Sequence, residues 1–172
     1  MGNRLDALKI ALGNEIREHK FYLEQARRTA SLVGKLMFEQ IAGEEMEHYQ
    51  RLQELHDVWA KEKRWPPTVP LLVGETKVSR VLQSAAKEVE NAIPPDADDL
   101  EAVRTAIAFE AKGVELYGKL RDNMTDPKEK AFFALLANIE REHYTSLKDT
   151  EQYIIDPDSW FREKDRGSLD GA

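Results

Sequence analysis

The sequence has no cysteine, little glycine and no long hydrophobic run. Without cysteine among its 172 residues, the chain cannot form disulfides, hold iron through thiolates or use a thiol nucleophile. No segment approaches the roughly 20 apolar residues that span a membrane, and residues 1–6 lack the apolar core of a signal peptide. Glycine occurs nine times, whereas 33% of the residues are charged, a composition typical of long amphipathic helices. We therefore expect a helical, cytoplasmic protein.

The net charge of −7 limits the class of partner. Surfaces that bind nucleic acid or an anionic membrane carry excess positive charge, so we expect neither partner. The length fits a single domain with a substantial core.

Four long helices are predicted from the hydrophobic periodicity. In each of them, apolar residues recur at intervals of three and four and form a stripe along one face. These helices cover residues 3–29, about 35–63, 96 onward, and 126–155. The predicted bundle therefore occupies residues 1–156.

The connector between the second and third long helices, at about 64–97, is too long for a tight turn. Its first part is rich in proline, and apolar spacing from Val78 to Val89 predicts a shorter helix within it. A crossover of this length allows two helices of a bundle to run parallel. Beyond the bundle, residues 157–172 form a tail that we expect to pack back onto it through Trp160 and Phe161.

Each long helix carries one glutamate inside its apolar stripe, where a carboxylate should be buried. These four, hereafter the stripe glutamates, are Glu15, Glu45, Glu110 and Glu140. Histidines follow two of them at the third position, as His48 and His143. Side chains three residues apart on a helix lie on one face, so each of these Glu-x-x-His pairs can reach one metal ion.

The two halves of the chain repeat this pattern. Residues 11–55 align without a gap on residues 106–150, with identities at all six of these positions and at Tyr22, which aligns with Tyr117. A duplicated helical hairpin with a pseudo-two-fold axis would produce such a repeat. The metal site is then one half-site used twice.

Four converging carboxylates are too costly to bury unless cations compensate them. Two divalent ions would balance their charge, and two lone glutamates with two Glu-x-x-His pairs form the ligand set of di-metal four-helix bundles. Oxygen ligands with one imidazole per metal suit iron or manganese, although zinc can also occupy such a site. Glu45 and Glu140 are the natural bridging ligands, and Glu15 and Glu110 the terminal ones.

Four further residues are candidates for supporting roles. Tyr22 and Tyr117 lie two turns from the terminal glutamates, so they are predicted either to hydrogen-bond carboxylates and relay protons or simply to fill the core. Glu18, three residues after Glu15, or the adjacent His19 could add a ligand to one metal. The alternatives are a surface carboxylate and a hydrogen-bonded core imidazole.

Over about residues 4–154, this pattern resembles the rubrerythrin-like branch of the ferritin-like superfamily. The resemblance implies a di-iron centre that reacts with hydrogen peroxide or dioxygen, using electrons that rubrerythrins receive through a rubredoxin domain. Because such a domain needs cysteine, the electrons here are expected to come from a separate, rubredoxin-like donor. Rubrerythrins also carry an extra glutamate three residues after the third-helix ligand, where this chain has Gly113. The equivalent place in the first half is Glu18, and this is why Glu18 or the adjacent His19 is a candidate for a seventh or alternate ligand to one metal.

The same six ligands are also similar to those of bacterioferritin, in which a methionine at the place of Met46 binds haem. Because methionine is most often a packing residue, we expect Met46 to pack and not to bind haem. We therefore predict an all-α, ferritin-like four-helix bundle that binds two iron ions. Its favoured activity is reduction of peroxide or dioxygen, and a homodimer is the expected assembly. The alternatives are a ferroxidase or iron-storage protein and a metal-free helical scaffold.

Overall fold

The computed structural model describes residues 4–63, 76–88 and 95–169, and within these ranges it contains helices and no strand. The helices are α1 (Arg4–Arg28), α2 (Leu32–Glu62), α3 (Val78–Glu88), α4 (Ala97–Asn123), α5 (Pro127–Ile155) and α6 (Pro157–Leu169). The all-α prediction is confirmed. None of the helices in the described ranges is long and apolar enough to cross a membrane.

Short polar residues set the beginnings of three long helices. The Ser31 hydroxyl accepts a hydrogen bond from the Gly34 amide at the start of α2. Asp96 begins α4 with a capping box, in which its carboxylate accepts from the Asp99 amide while the Asp99 carboxylate accepts from the Asp96 amide. Asp126 caps α5 ahead of Pro127. These contacts satisfy amides that have no partner within the helix.

The helices pack mainly as two pairs, α1 along α2 and α4 along α5. Helices α1 and α4 also touch, so the pairs share an interior. The apolar core divides into two clusters, one containing Tyr22 and the other Tyr117. Polar residues that belong to neither cluster lie between these two tyrosine hydroxyls, and they form the site described below.

Helix α3 covers the side of the two pairs, because it contacts both α2 and α5. It begins at Val78, as the sequence predicts, and buries Val78, Leu82 and Ala85 in the cluster that contains Tyr22. The proline-rich part of the predicted crossover and Val89 lie outside the described residues.

Helix α6 lies in the tail, for which the sequence predicted no helix. Proline is well suited to the first turn of a helix, so Pro157 both ends α5 and begins α6, while the Asp156 carboxylate accepts from the Ser159 amide. Trp160 is only 4% exposed. Its ring meets Tyr153 edge to face, and its indole N–H donates to Asp149 at 3.0 Å.

The capping box of α4 leads to a test of stability. Replacing Asp96 with alanine removes the acceptor for the Asp98 and Asp99 amides. We expect Asp96→Ala to lower the free energy of unfolding by about 1 kcal/mol, measured by urea denaturation. Glu101→Ala, an exposed change on the same helix, is the control and should have a smaller effect. Equal effects of the two changes would contradict the role of the cap.

Candidate metal centre

The stripe glutamates meet in the interior between the helix pairs. Glu15 comes from α1, Glu45 from α2, Glu110 from α4 and Glu140 from α5, and all four are 0% exposed. Their positions follow from the helical repeat, which places each of them on the face that its helix buries. His48 and His143, one turn after Glu45 and Glu140, are buried beside them.

The ligand atoms of these residues lie close enough together to hold cations. Three overlapping groups each offer one nitrogen or oxygen per residue within 4.8 Å of all the others. The groups are Glu15, Glu45 and His48; Glu45, Glu110, Glu140 and His143; and Glu15, Glu18, Glu45 and Glu140. We call the first the His48 position and the second the His143 position. All six predicted ligands therefore fall in one cluster, and Glu45 belongs to both positions.

Both imidazoles turn the same nitrogen towards the carboxylates. Nδ1 of His48 lies 3.1 Å from Oε2 of Glu15 and 3.0 Å from Oε2 of Glu45. Nδ1 of His143 lies 2.9 Å from Oε1 of Glu45 and 3.7 Å from Oε1 of Glu110. The shorter of these His143 contacts does not have the geometry of a hydrogen bond. Nδ1 of His143 and Oε1 of Glu45 therefore have no hydrogen-bond partner among the described residues.

Buried polar atoms without partners are what distinguish this cluster from a structural ion-pair network. Among the described residues, both carboxylate oxygens of Glu140, Oε2 of Glu110 and Oε2 of Glu18 accept no hydrogen bond. Leaving a buried carboxylate oxygen unpaired is costly. The unpaired atoms point to cations as the missing partners, so the residues present fit a di-metal centre.

The two predicted tyrosines each bind the glutamate of the opposite half. The Tyr22 hydroxyl donates to Oε1 of Glu110, and the Tyr117 hydroxyl donates to Oε1 of Glu15. Burial and the nearby carboxylates raise the pKa of both phenols well above the usual value, so each remains a hydrogen-bond donor. Each tyrosine thereby fixes one carboxylate oxygen; the second oxygen of Glu110 has no hydrogen-bond partner among the described residues, and the second oxygen of Glu15 faces Nδ1 of His48.

The structure contains a further contact that the sequence did not predict. Nε2 of His143 donates to Oε2 of Glu44 at 2.7 Å. Glu44 also accepts from the Thr76 hydroxyl at 2.7 Å and from the Lys77 amide at 2.9 Å, just before α3. Burial opposes its ionisation, but the hydrogen bond and charge of His143 lower the pKa of Glu44 to about 2. A carboxylate on the outer nitrogen of a ligating histidine orients the ring and raises its basicity.

Glu44 lies off the apolar stripe of α2, so periodicity alone could not identify it. The available signal was a departure from the repeat, because the position that aligns with Glu44 is Ile139. Accordingly, His48 has no equivalent carboxylate, and its Nε2 is buried without a partner among the described residues.

The remaining candidates differ from one another. Glu18 is buried and belongs to one of the three groups. His19 is half-buried and belongs to none of the groups found among the described residues; its Nδ1 donates to the carbonyl oxygen of Ala42 at 2.7 Å. Met46 is half-buried on α2. The structure therefore brings Glu18, but not His19, to the six.

Burial and mutual repulsion govern the protonation of the cluster. Burial raises the pKa of Glu15 to about 7, with Glu45 contributing and His48 opposing. Burial also raises the pKa of Glu18, Glu110 and Glu140. It likewise disfavours the charged form of His48, yet Glu45 and Glu15 raise the pKa of that imidazole to about 10.

Comparison with known proteins decides the family. A model of the rubrerythrin family matches residues 6–151. The chain belongs to the rubrerythrin family. That family is part of the ferritin-like superfamily, and its members are di-iron carboxylate proteins, a chemistry with which the buried carboxylates and imidazoles are compatible. Searches of curated proteins and of solved structures found no match.

The shifted pKa values predict how the stability of the metal-free protein depends on pH. In the folded state Glu15 holds a proton that the unfolded chain releases above pH 4.5. The stability of the folded state therefore falls as the pH rises towards about 7. Protonated His48 contributes its full stabilisation of the fold below pH 6.5, and this contribution is lost as the pH rises towards about 10. We expect the chelator-treated protein to melt at a lower temperature at about pH 8 than at about pH 5.5.

Circular dichroism melts of the metal-free and metal-loaded protein measure this effect. Because metal binding requires deprotonated ligands, added metal should raise the melting temperature more at the higher pH. A metal-free protein that gains stability between these two pH values would contradict the assigned protonation of the cluster.

The contact between Glu44 and His143 predicts weaker metal binding when Glu44 is removed. Loss of such an outer carboxylate typically lowers metal affinity about 10- to 100-fold. We expect Glu44→Ala to lower the affinity of one of two sites by this factor, measured by competition between the protein and a chromophoric chelator for Co²⁺. Glu47→Ala, an exposed change on the same helix, is the matched control. Unchanged Co²⁺ affinity in Glu44→Ala would exclude this role.

Proposed function

We propose that this chain is a ferritin-like four-helix bundle that binds two iron ions and reduces hydrogen peroxide or dioxygen. The bundle would consist of α1, α2, α4 and α5, with α3 inside the crossover and with α2 and α4 parallel. Family membership, the two helix pairs and the long connector support this arrangement. The aligned halves support its origin in a duplicated hairpin.

The observation that carries the proposal is the set of buried, unpaired ligand atoms. Glu140 presents two oxygens without partners, and Nδ1 of His143 faces Glu45 and Glu110 in the same group. We assign Glu45 and Glu140 as bridging ligands, because Glu45 belongs to both positions and Glu140 occurs in groups with the terminal glutamates of both halves. Glu15 with His48, and Glu110 with His143, complete the two positions.

When bound, a diferrous pair supplies two electrons, which together with two protons convert hydrogen peroxide to two molecules of water. The protein's own residues then have three tasks. Tyr22 and Tyr117 hold the terminal glutamates, and their protonated hydroxyls are placed to pass protons to those carboxylates. Glu44 holds the imidazole of His143. The apolar clusters on either side exclude bulk water from the charged interior.

Electrons must return to the site after each turnover. Because this sequence has no cysteine, we propose a separate, rubredoxin-like protein as the donor. We also propose a homodimer, to which the exposed apolar side chains Ile10, Leu32 and Ile155 could contribute. The same six ligands would also serve a ferroxidase that stores or hands on iron, so this remains the second candidate.

Metal content and reaction rate test the proposed function together. Protein purified without chelator and loaded with Fe²⁺ should hold two ions per chain. After anaerobic mixing with peroxide, stopped-flow absorbance should show rapid formation of a ferric chromophore. Glu140→Ala should abolish both results, because Glu140 would contact both metals. Glu47→Ala removes an exposed carboxylate two residues from the proposed ligand Glu45, and it should leave both unchanged.

The oxidant and the subunit number separate the two candidates. A much faster reaction with peroxide than with dioxygen, in a dimer measured by light scattering, would support the oxidoreductase. A dioxygen reaction followed by retention of many iron atoms in a large shell would support storage instead. Wild-type protein that binds no iron, or binds it without reacting with either oxidant, would contradict the redox proposal.

A further inference from the structure

We propose that Glu18 is a fifth carboxylate ligand and that it serves only the His48 position. The two metals would then differ in their coordination, although the halves of the chain repeat. This inference rests on the proposed di-metal site. It concerns one residue of α1 that lies one turn beyond the terminal ligand Glu15.

Glu18 is placed as a ligand would be. Its side chain is 1% exposed, and its Oε2 has no hydrogen-bond partner among the described residues. One of its oxygens lies within 4.8 Å of ligand atoms from Glu15, Glu45 and Glu140. These three are the terminal ligand of the His48 position and the two proposed bridges. The group that contains Glu18 includes Glu15 but neither Glu110 nor either histidine. Because Glu18 lies on α1 together with Glu15, we assign it to the His48 position.

The second half of the chain has no carboxylate equivalent to Glu18. Gly113 aligns with Glu18, and a Cβ atom at Gly113 would lie 3.0 Å from Oε2 and 3.2 Å from Cγ of Glu140. A side chain there would require the Glu140 carboxylate to shift by a few tenths of an ångström. The glycine lets the Glu140 carboxylate lie against α4, and because it has no side chain it offers the His143 position no fifth carboxylate.

A structural role for Glu18 is the main alternative, and its surroundings argue against it. Asn14, one turn earlier on α1, is close enough for its side chain to lower the pKa of Glu18 by hydrogen bonding, but the geometry leaves Nδ2 of Asn14 and Oε2 of Glu18 without a hydrogen-bond partner among the described residues. Its Oδ1 instead accepts from Arg17. The aligned residue is Phe109, which stacks on Phe21. In place of that stacking contact, the first half has two buried polar atoms, Nδ2 of Asn14 and Oε2 of Glu18, without a hydrogen-bond partner among the described residues.

The two positions also differ outside the ligands. His143 has Glu44 on its outer nitrogen, whereas His48 has no such partner among the described residues. Each position therefore has one carboxylate beyond the six ligands. At the His143 position Glu44 acts through the imidazole, whereas at the His48 position Glu18 would bind the metal directly. This difference should be visible in metal binding, because a direct ligand contributes more to affinity than an outer carboxylate does.

Titration of the metal-free protein with Co²⁺, followed by its visible absorption, tests the assignment without any turnover. The wild type should bind two Co²⁺ ions per chain. Glu18→Gln should weaken one site by at least about tenfold and change the absorption of that site only. Glu47→Gln, which neutralises an exposed carboxylate, should bind as the wild type does.

Half-site variants identify which position responds. In a His143→Ala background, the remaining site is the His48 position, and Glu18→Gln should weaken it by the same factor. In a His48→Ala background, Glu18→Gln should have no effect. Circular dichroism checks that each variant folds, and Glu18→Met, which fills a similar space without a ligand, replaces Glu18→Gln if that variant does not.

The outcomes separate this inference from the proposal on which it rests. If the wild type binds two Co²⁺ ions and both Glu18 variants bind them equally well, the inference is overturned and the di-metal site stands. Equal weakening in both half-site backgrounds would also overturn it, because Glu18 would then support the fold. If the wild type binds no Co²⁺, the di-metal site itself is wrong.

Discussion

The arrangement of the helices depends on the electrostatic repulsion among carboxylates that share a dry interior. Four of these side chains are completely buried, and one oxygen of Glu45, one of Glu110 and both of Glu140 lack the hydrogen bonds among the described residues that usually make such burial tolerable. Bound cations would remove this conflict, because carboxylates from four helices would then be attracted to the same ions. The apolar clusters on either side then provide the hydrophobic stabilisation that the polar centre cannot.

Much of the site could be predicted from the sequence, because the position of a residue within an apolar stripe determines whether it is buried. Glu15 and Glu110 have no motif of their own, and their place in the stripe was the reason for naming them. The repeat then related the two halves without any structure. The same periodicity also placed the helix starts, since Asp96 and Asp126 stand just before apolar stripes and can cap them.

Other features depend on which helices are neighbours, and spacing along one helix carries no such information. Tyr22 lies on the same face as Glu15, yet its hydroxyl reaches Glu110 on another helix. Glu44 faces away from its own stripe and meets His143 of α5. His19 lies on the stripe, but a backbone carbonyl of α2 satisfies its Nδ1. In each case the partner comes from an element distant in sequence.

The crossing of the two tyrosines has a consequence for the ancestry of this chain. Neither hairpin contains both a terminal glutamate and the phenol that holds it, since each supplies the phenol for the other. If the halves descend from one shorter hairpin, that ancestor could assemble the full constellation only by associating with a second copy of itself. Fusion of the copies would have freed the two sequences to diverge, and the pairs Glu18 with Gly113 and Glu44 with Ile139 would record that divergence.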